Sequence, residues 1–194
     1  MDPRTMANTY YKEVLNTWWQ ELDPGFNAGL LESDCPPDDG KIFVMYHGTT
    51  AAAAEQIIKN GFRQSADGML GRGVYVSRDP NKAARYPLGD KSDQVILKLR
   101  VNVGKVIKID QKNFKMQKTW HIDHGFDTAW VPPNTILVES KLKLEEDCVW
   151  DPKRIRVVGI VLAPEGHLAS LQNMVSGNTV KHDNDLLKAS MNFK

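Results

Sequence analysis

The sequence predicts an α+β domain in which short strands form mixed, largely antiparallel sheets with flanking helices. Three observations lead there. Strand-sized apolar runs recur at 41–46, 74–77, 94–103, 106–109, 128–132, 145–150 and 155–162. Helical patterns concentrate in the first half of the chain. No regular alternation of strand and helix is present to build a doubly wound parallel sheet.

Residues 8–22 carry Val14, Leu15, Trp18, Trp19 and Leu22 at helical spacing, with Asn8 or Thr9 as the cap. The two tryptophans read as core or docking surface before they read as a base-stacking platform. Asp23-Pro24-Gly25 stops this helix, and a turn-rich linker follows to Gly40. Residues 1–40 are thus expected to be a helix and linker packed on a domain at 41–176, with a polar tail at 177–194.

The run 41–46 suits a buried strand that delivers His47 and Gly48 at its end. Thr49 or Thr50 caps a helix over 51–60, and Gly61 stands where a left-handed C-terminal residue would sit. A polar loop bearing Arg63 leads to Gly71-Arg72-Gly73 and the strand 74–77. Asp79-Pro80 opens the next helix with a capping aspartate and a first-turn proline. Asn102-Val103-Gly104-Lys105 separates two strands, and 112–127 reads as irregular and polar. The last helix starts near Pro164 to Gly166, carries Leu168, Leu171 and Met174, and gives way to the tail after Ser176.

Lys plus Arg total 25 against 24 Asp plus Glu, so nothing global drives the chain toward nucleic acid or an anionic membrane. Two cysteines, Cys35 and Cys148, make no disulfide framework and read as reduced thiols. With no signal-like apolar opening and no run long enough to cross a bilayer, the expectation is a cytoplasmic protein that uses neither membrane nor metal. His121 and His124 lack a third ligand at zinc spacing. Ser77 has no nucleophile elbow around it, and Cys148 sits in an apolar strand.

What remains is a scattered set. A histidine held by a strand and followed by glycine leaves backbone N–H and C=O groups open to a planar amide, although a single histidine is more often a satisfied core residue. Tyr75 and Tyr86 are separated by a turn and a helical segment, a spacing that lets two rings face each other across a slot; two core tyrosines are the plain alternative. Glu145-Glu146-Asp147 precede an apolar strand, and alternation sends some of them inward without saying which.

Together these stretches resemble the ADP-ribosyltransferase fold, specifically the poly(ADP-ribose) polymerase catalytic domain. The matching motifs are His47-Gly48-Thr49, Gly71-Arg72-Gly73-Val74-Tyr75-Val76 and Glu146-Asp147-Cys148-Val149-Trp150-Asp151. Gly61-Phe62-Arg63 closes the first helix as in that family, and Gly125-Phe126-Asp127-Thr128 is similar to one of its turns. Within it, Gly68 to Tyr75, Thr128 to Asn134 and Asp147 to Pro152 resemble the interferon-inducible antiviral proteins of the grass carp reovirus-induced family.

The resemblance implies an NAD-dependent transfer of ADP-ribose, mono- rather than poly-, to a protein or nucleic-acid acceptor in an antiviral response. It implies that Gly48 bonds the nicotinamide carboxamide, Tyr75 and Tyr86 sandwich the ring, His47 and Thr49 bind ribose hydroxyls, and Arg63 approaches the adenosine. Glu146 would be the catalytic group, completing a His47, Tyr75, Glu146 set. Three departures stand out. Ala83 replaces a serine that bonds the carboxamide, Trp150 replaces a tyrosine, and the loop from Arg63 to Gly71 is short. A catalytically silent binding domain and an RNA 2′-phosphotransferase, which shares the Tyr-His-Gly-Thr opening, are the competing readings.

Overall fold

A computed structural model describes residues 35–135 and 144–191, all within one compact unit, Glu32–Lys194. The expected helix at 8–22 lies outside the described residues. Two sheets carry the fold. The first orders β1 (Ile42–Thr50), β3 (Gln94–Asn102) and β7 (Ile155–Leu162) as β1-β3-β7, antiparallel throughout. The second orders β2 (Val74–Val76), β6 (Glu146–Val149), β5 (Thr128–Val131) and β4 (Val106–Lys108) as β2-β6-β5-β4. Only β4 with β5 is parallel in it, so the expected mixed, mostly antiparallel α+β architecture is what the chain adopts.

Helix α1 (Ala51–Asn60) follows β1 directly, capped by Thr50, whose hydroxyl accepts from the Ala53 N–H at 3.2 Å. Gly61 ends it at φ +81°, a conformation other residues adopt at a cost. Helix α2 (Pro80–Ala83) is a single turn started by Asp79, whose carboxylate accepts from Asn81 N–H at 2.8 Å. A third helical turn, α3 (Trp120–Asp123), interrupts the stretch expected to be irregular. Its cause is Trp120, fully buried with its indole N–H donating to the Leu70 carbonyl at 2.8 Å. Helix α4 spans Glu165–Met191 and so continues past the point where a tail was expected. Among its residues, Leu171 and Val175 reach the core.

One face of the first sheet carries the larger core. Met45, Leu97, Leu99 and Val101 pack on it against Ala54 and Ile58 of α1 and Leu171 of α4. The second sheet buries Ile107, Ala129, Val131 and Cys148 around Trp120 and Leu70. The strand β1 runs longer than its apolar segment. His47 and Gly48 lie inside it, paired with Leu97 and Ile96, rather than at its end. Cross-strand pairing with the apolar centre of β3 overrides the polar character of His-Gly-Thr-Thr.

Besides packing in a shared core, the two sheets are joined through their backbones beside the cavity. Tyr46 and Ser77 exchange backbone hydrogen bonds of 2.7 and 3.1 Å, which joins β1 to the end of β2. The cavity described below opens beside that join.

Leu99 sits at the centre of the first core with no exposed surface. Leu99→Ala is expected to lower unfolding free energy by about 2–5 kcal/mol in urea titration, with the denaturant slope unchanged. A loss below that range would place the core elsewhere.

Candidate active site

A cavity of about 730 Å³ lies between β1, α1, α2, the loop before β2, and the start of β6. Its lining includes His47, Gly48, Arg63, Tyr75, Tyr86 and Glu146. These residues are spread over a hundred positions of sequence, and the fold brings them to one wall. Thr49 is not among the lining residues; it lies in β1 opposite Val95.

Each member is held by local structure. Tyr46 points its N–H and C=O at Ser77, and in a strand the residue two further on turns the same way. Gly48 therefore presents its N–H and C=O to the cavity just past the join. A Cβ on Gly48 would collide with the Ala83 carbonyl oxygen and come within 2.9 Å of the Tyr86 carbonyl, so only glycine lets α2 close this near to β1. A donor and an acceptor on one exposed strand edge match the two faces of a primary amide. That edge, with the volume beside it, fits a nicotinamide group.

His47 faces inward. Its Nδ1 donates to the Tyr75 carbonyl at 2.8 Å and its ring meets Phe62 edge-on at 5.1 Å. Burial holds the imidazole below its ordinary pKa, against the opposing effect of that carbonyl, so the ring is neutral at pH 7. With Nδ1 committed as donor, Nε2 keeps its lone pair and can accept from a hydroxyl.

Tyr75 is locked at both ends of its phenol. The hydroxyl donates to the Gly71 carbonyl at 2.7 Å and accepts from the Leu70 N–H at 3.0 Å. Burial, with Cys148 and Glu146 nearby, raises its pKa, so it stays a neutral wall. The ring also fills the space a side chain at Gly68 would need. Tyr86, by contrast, is 39 % exposed and stands at the mouth of the cavity. Its backbone is fixed: the N–H donates to the Ala83 carbonyl at 3.0 Å and its carbonyl accepts from the Gln94 amide.

Glu146 opens β6 opposite Val131 and is nearly buried. Its Oε1 lies 3.0 Å from the Nζ of Lys82 on α2, and both side chains are close to 90 % shielded. The sequence reading missed Lys82, although it lines the same cavity. The only available signal was its place one residue before Ala83 on a capped helical turn, which is too common to single out.

The neighbours of Glu146 point away from the cavity. Glu145 is fully buried and bound to Arg78, with its Oε1 accepting from the Arg78 N–H at 2.6 Å and its Oε2 from an Arg78 guanidinium nitrogen at 2.8 Å. Alternation along β6 thus resolves the acid triplet, sending the middle member forward. Asp147 is also fully buried, with its carboxyl group beside that of Glu145. Burial, followed by the adjacent negative Glu145, pushes its pKa well up, so it holds its proton to higher pH than an ordinary aspartate. Cys148 follows with its thiol pushed up to about 12 by burial, which removes it as a nucleophile. His121 stacks on Trp150 at 3.6 Å on the far side of the second sheet's core, so neither is part of this wall.

Comparison with protein families finds a match to the poly(ADP-ribose) polymerase catalytic domain over residues 30–129. The match takes in β1 through most of the second core and stops before β6, so Glu146 lies outside it. Comparison with curated proteins finds no match.

Two outcomes follow from this geometry. Gly48→Ala is expected to weaken binding of a benzamide-type nicotinamide mimic by at least about tenfold in calorimetry, since the added Cβ collides with the Ala83 carbonyl and forces α2 away from the strand edge. Unchanged affinity would remove the strand edge from the site. For Asp147 the sign is set by its proton. The folded state holds it while the unfolded chain releases it above about pH 4, so stability falls as pH rises from there. Asp147→Asn should therefore gain stability over the parent chain at pH about 8 relative to pH about 4; an equal difference at both would show that Asp147 is ionised in the fold.

Proposed function

This chain belongs to the poly(ADP-ribose) polymerase catalytic domain family, whose members transfer ADP-ribose from NAD+, and on that premise we propose that it is a mono-ADP-ribosyltransferase with Glu146 as its catalytic carboxylate. The observation that carries the proposal is one cavity lined by an amide-matching glycine edge, two tyrosines of unlike exposure and a nearly buried, lysine-paired glutamate.

The chemistry follows from those parts. NAD is the co-substrate. The Gly48 edge holds the carboxamide, and Tyr75 supplies a rigid face for the nicotinamide ring. Tyr86, at the mouth, closes the other face. His47, neutral with Nε2 as acceptor, takes a ribose hydroxyl, and Arg63 serves the adenosine end. When the bond from ribose C1 to nicotinamide breaks, its electron pair leaves with nicotinamide and positive charge builds on the ribose. A fixed carboxylate at Glu146 stabilises charge that is absent from the ground state, which is how such a group accelerates a reaction. Lys82 fixes the carboxylate orientation. The acceptor nucleophile then bonds to C1 and loses its proton.

The likeness of Gly68 to Tyr75 and of Asp147 to Pro152 to the interferon-inducible grass carp reovirus-induced family supports an antiviral role, with a protein or nucleic-acid acceptor in the cytoplasm. The short loop before Gly71 supports single rather than repeated transfer. Ala83 favours a second reading. It puts a methyl group where a hydroxyl would bond the carboxamide, so a domain that binds NAD weakly and serves as a recognition module is the competing assignment.

Release of nicotinamide from NAD separates the two. The parent chain should release it, and Glu146→Gln should lower kcat about a hundredfold or more with the affinity for a nicotinamide mimic retained. Release at an equal rate by both proteins would overturn the role of Glu146. Binding without release would favour the recognition module.

A further inference from the structure

The catalytic wall has a second, hidden set of charges behind it. Glu145, just before β6, and Glu146, its first residue, point their side chains to opposite sides. Each has its own cation, Arg78 for Glu145 and Lys82 for Glu146. Both cations come from one short stretch, because Arg78 and Lys82 are four residues apart across the start of α2. A single rigid segment therefore grips the first residue of β6 and the residue just before it, from opposite sides.

The segment has little freedom. Ser77 donates its hydroxyl to the Glu145 carbonyl at 3.1 Å and accepts from the Asp79 N–H at 3.0 Å. Asp79 in turn caps α2. Arg78 reaches both oxygens of Glu145 through Nε at 3.2 Å, and a guanidinium nitrogen also donates to the Cys35 carbonyl at 2.6 Å. The Trp130 indole N–H adds a donor to Glu145 at 2.9 Å. The side chains of the ion pair are 2 % and 0 % exposed.

Stability does not explain this pair. Two charges brought out of water lose hydration on a scale that their attraction only offsets, and apolar replacements are commonly as stable. What a forked, fully donated pair supplies is direction: it leaves one relative placement for α2 and β6. That placement sets Lys82 against Glu146 and the Ala83 carbonyl over Gly48.

We propose that Arg78 and Glu145 are positioning residues, and that their buried pair holds the Glu146 carboxylate and Lys82 in register across the cavity. The inference rests on Glu146 as the catalytic carboxylate. Neither Arg78 nor Glu145 lines the cavity, so both act through the segment that carries Lys82.

The test uses two variants of the full chain. Glu145→Gln keeps the shape and an acceptor for Trp130 but breaks the charge pair. Arg78→Met with Glu145→Gln removes both charges and so avoids leaving one buried and unpaired. Glu145→Gln should lower both Tm and the kcat of nicotinamide release. In the double variant Tm should return toward the parent value. Its kcat should stay about a hundredfold down, as a misplacement near 1 Å brings, with KM for NAD within about twofold. A crystal structure of the double variant should show Lys82 and Glu146 beyond hydrogen-bond range. Recovery of kcat together with Tm, or an intact Lys82–Glu146 pair, would overturn the inference. A parent chain that releases no nicotinamide would remove the catalytic assignment of Glu146 instead, because the Lys82–Glu146 separation is read without turnover.

Discussion

The join between Tyr46 and Ser77 is the constraint on which the site depends. One pair of backbone hydrogen bonds stitches the two sheets together, and β2 diverges from β1 immediately beside it. A strand edge that continues past its last partner leaves unsatisfied N–H and C=O groups, which elsewhere would invite aggregation or need covering. Here the edge ends in a cavity of about 730 Å³, where a planar amide can take the place of the missing strand. In the proposed function, recognition of the ligand follows from how the two sheets separate.

The second determinant is charge placed in a low-dielectric wall. Three consecutive acids are buried, with two cations to balance them. Glu146 takes Lys82, Glu145 takes Arg78, and Asp147 holds its proton to higher pH than an ordinary aspartate. A net negative site would favour a cationic transition state, yet an unbalanced one would unfold the strand. The arrangement leaves one carboxylate, paired with Lys82, facing the cavity and keeps the other two acids behind it. The neutral His47 and the neutral, doubly hydrogen-bonded Tyr75 add no further charge to the cavity.

Much of this was legible in the chain. The strand at 41–46, the helix over 51–60 with its Thr50 cap and Gly61 stop, and the Asp79-Pro80 helix start all follow from local chemistry and appear where local rules put them. Other features were not. Nothing in His-Gly-Thr-Thr announces a strand; pairing with Leu97 and Ile96 makes it one. Trp120 turns a polar loop into a helical turn because its indole is buried against Leu70, a residue fifty positions away. Lys82 carried no local mark at all, since its partner is sixty-four positions on and its meaning arises only in that pairing.

By itself the sequence determined the class of fold and the set of candidate groups, because periodicity, caps and turn residues act over a few positions. It singled out a His-Gly pair, two tyrosines and an acid triplet as the candidates for chemistry. Only the tertiary structure decided which acid faces the cavity, which edge of Gly48 is open, and that Thr49 stands apart from the lining. The reason is that side-chain direction in a strand is set by its register against neighbours. Register is decided by contacts between β1, β3, β2 and β6 that lie tens of residues apart in the chain.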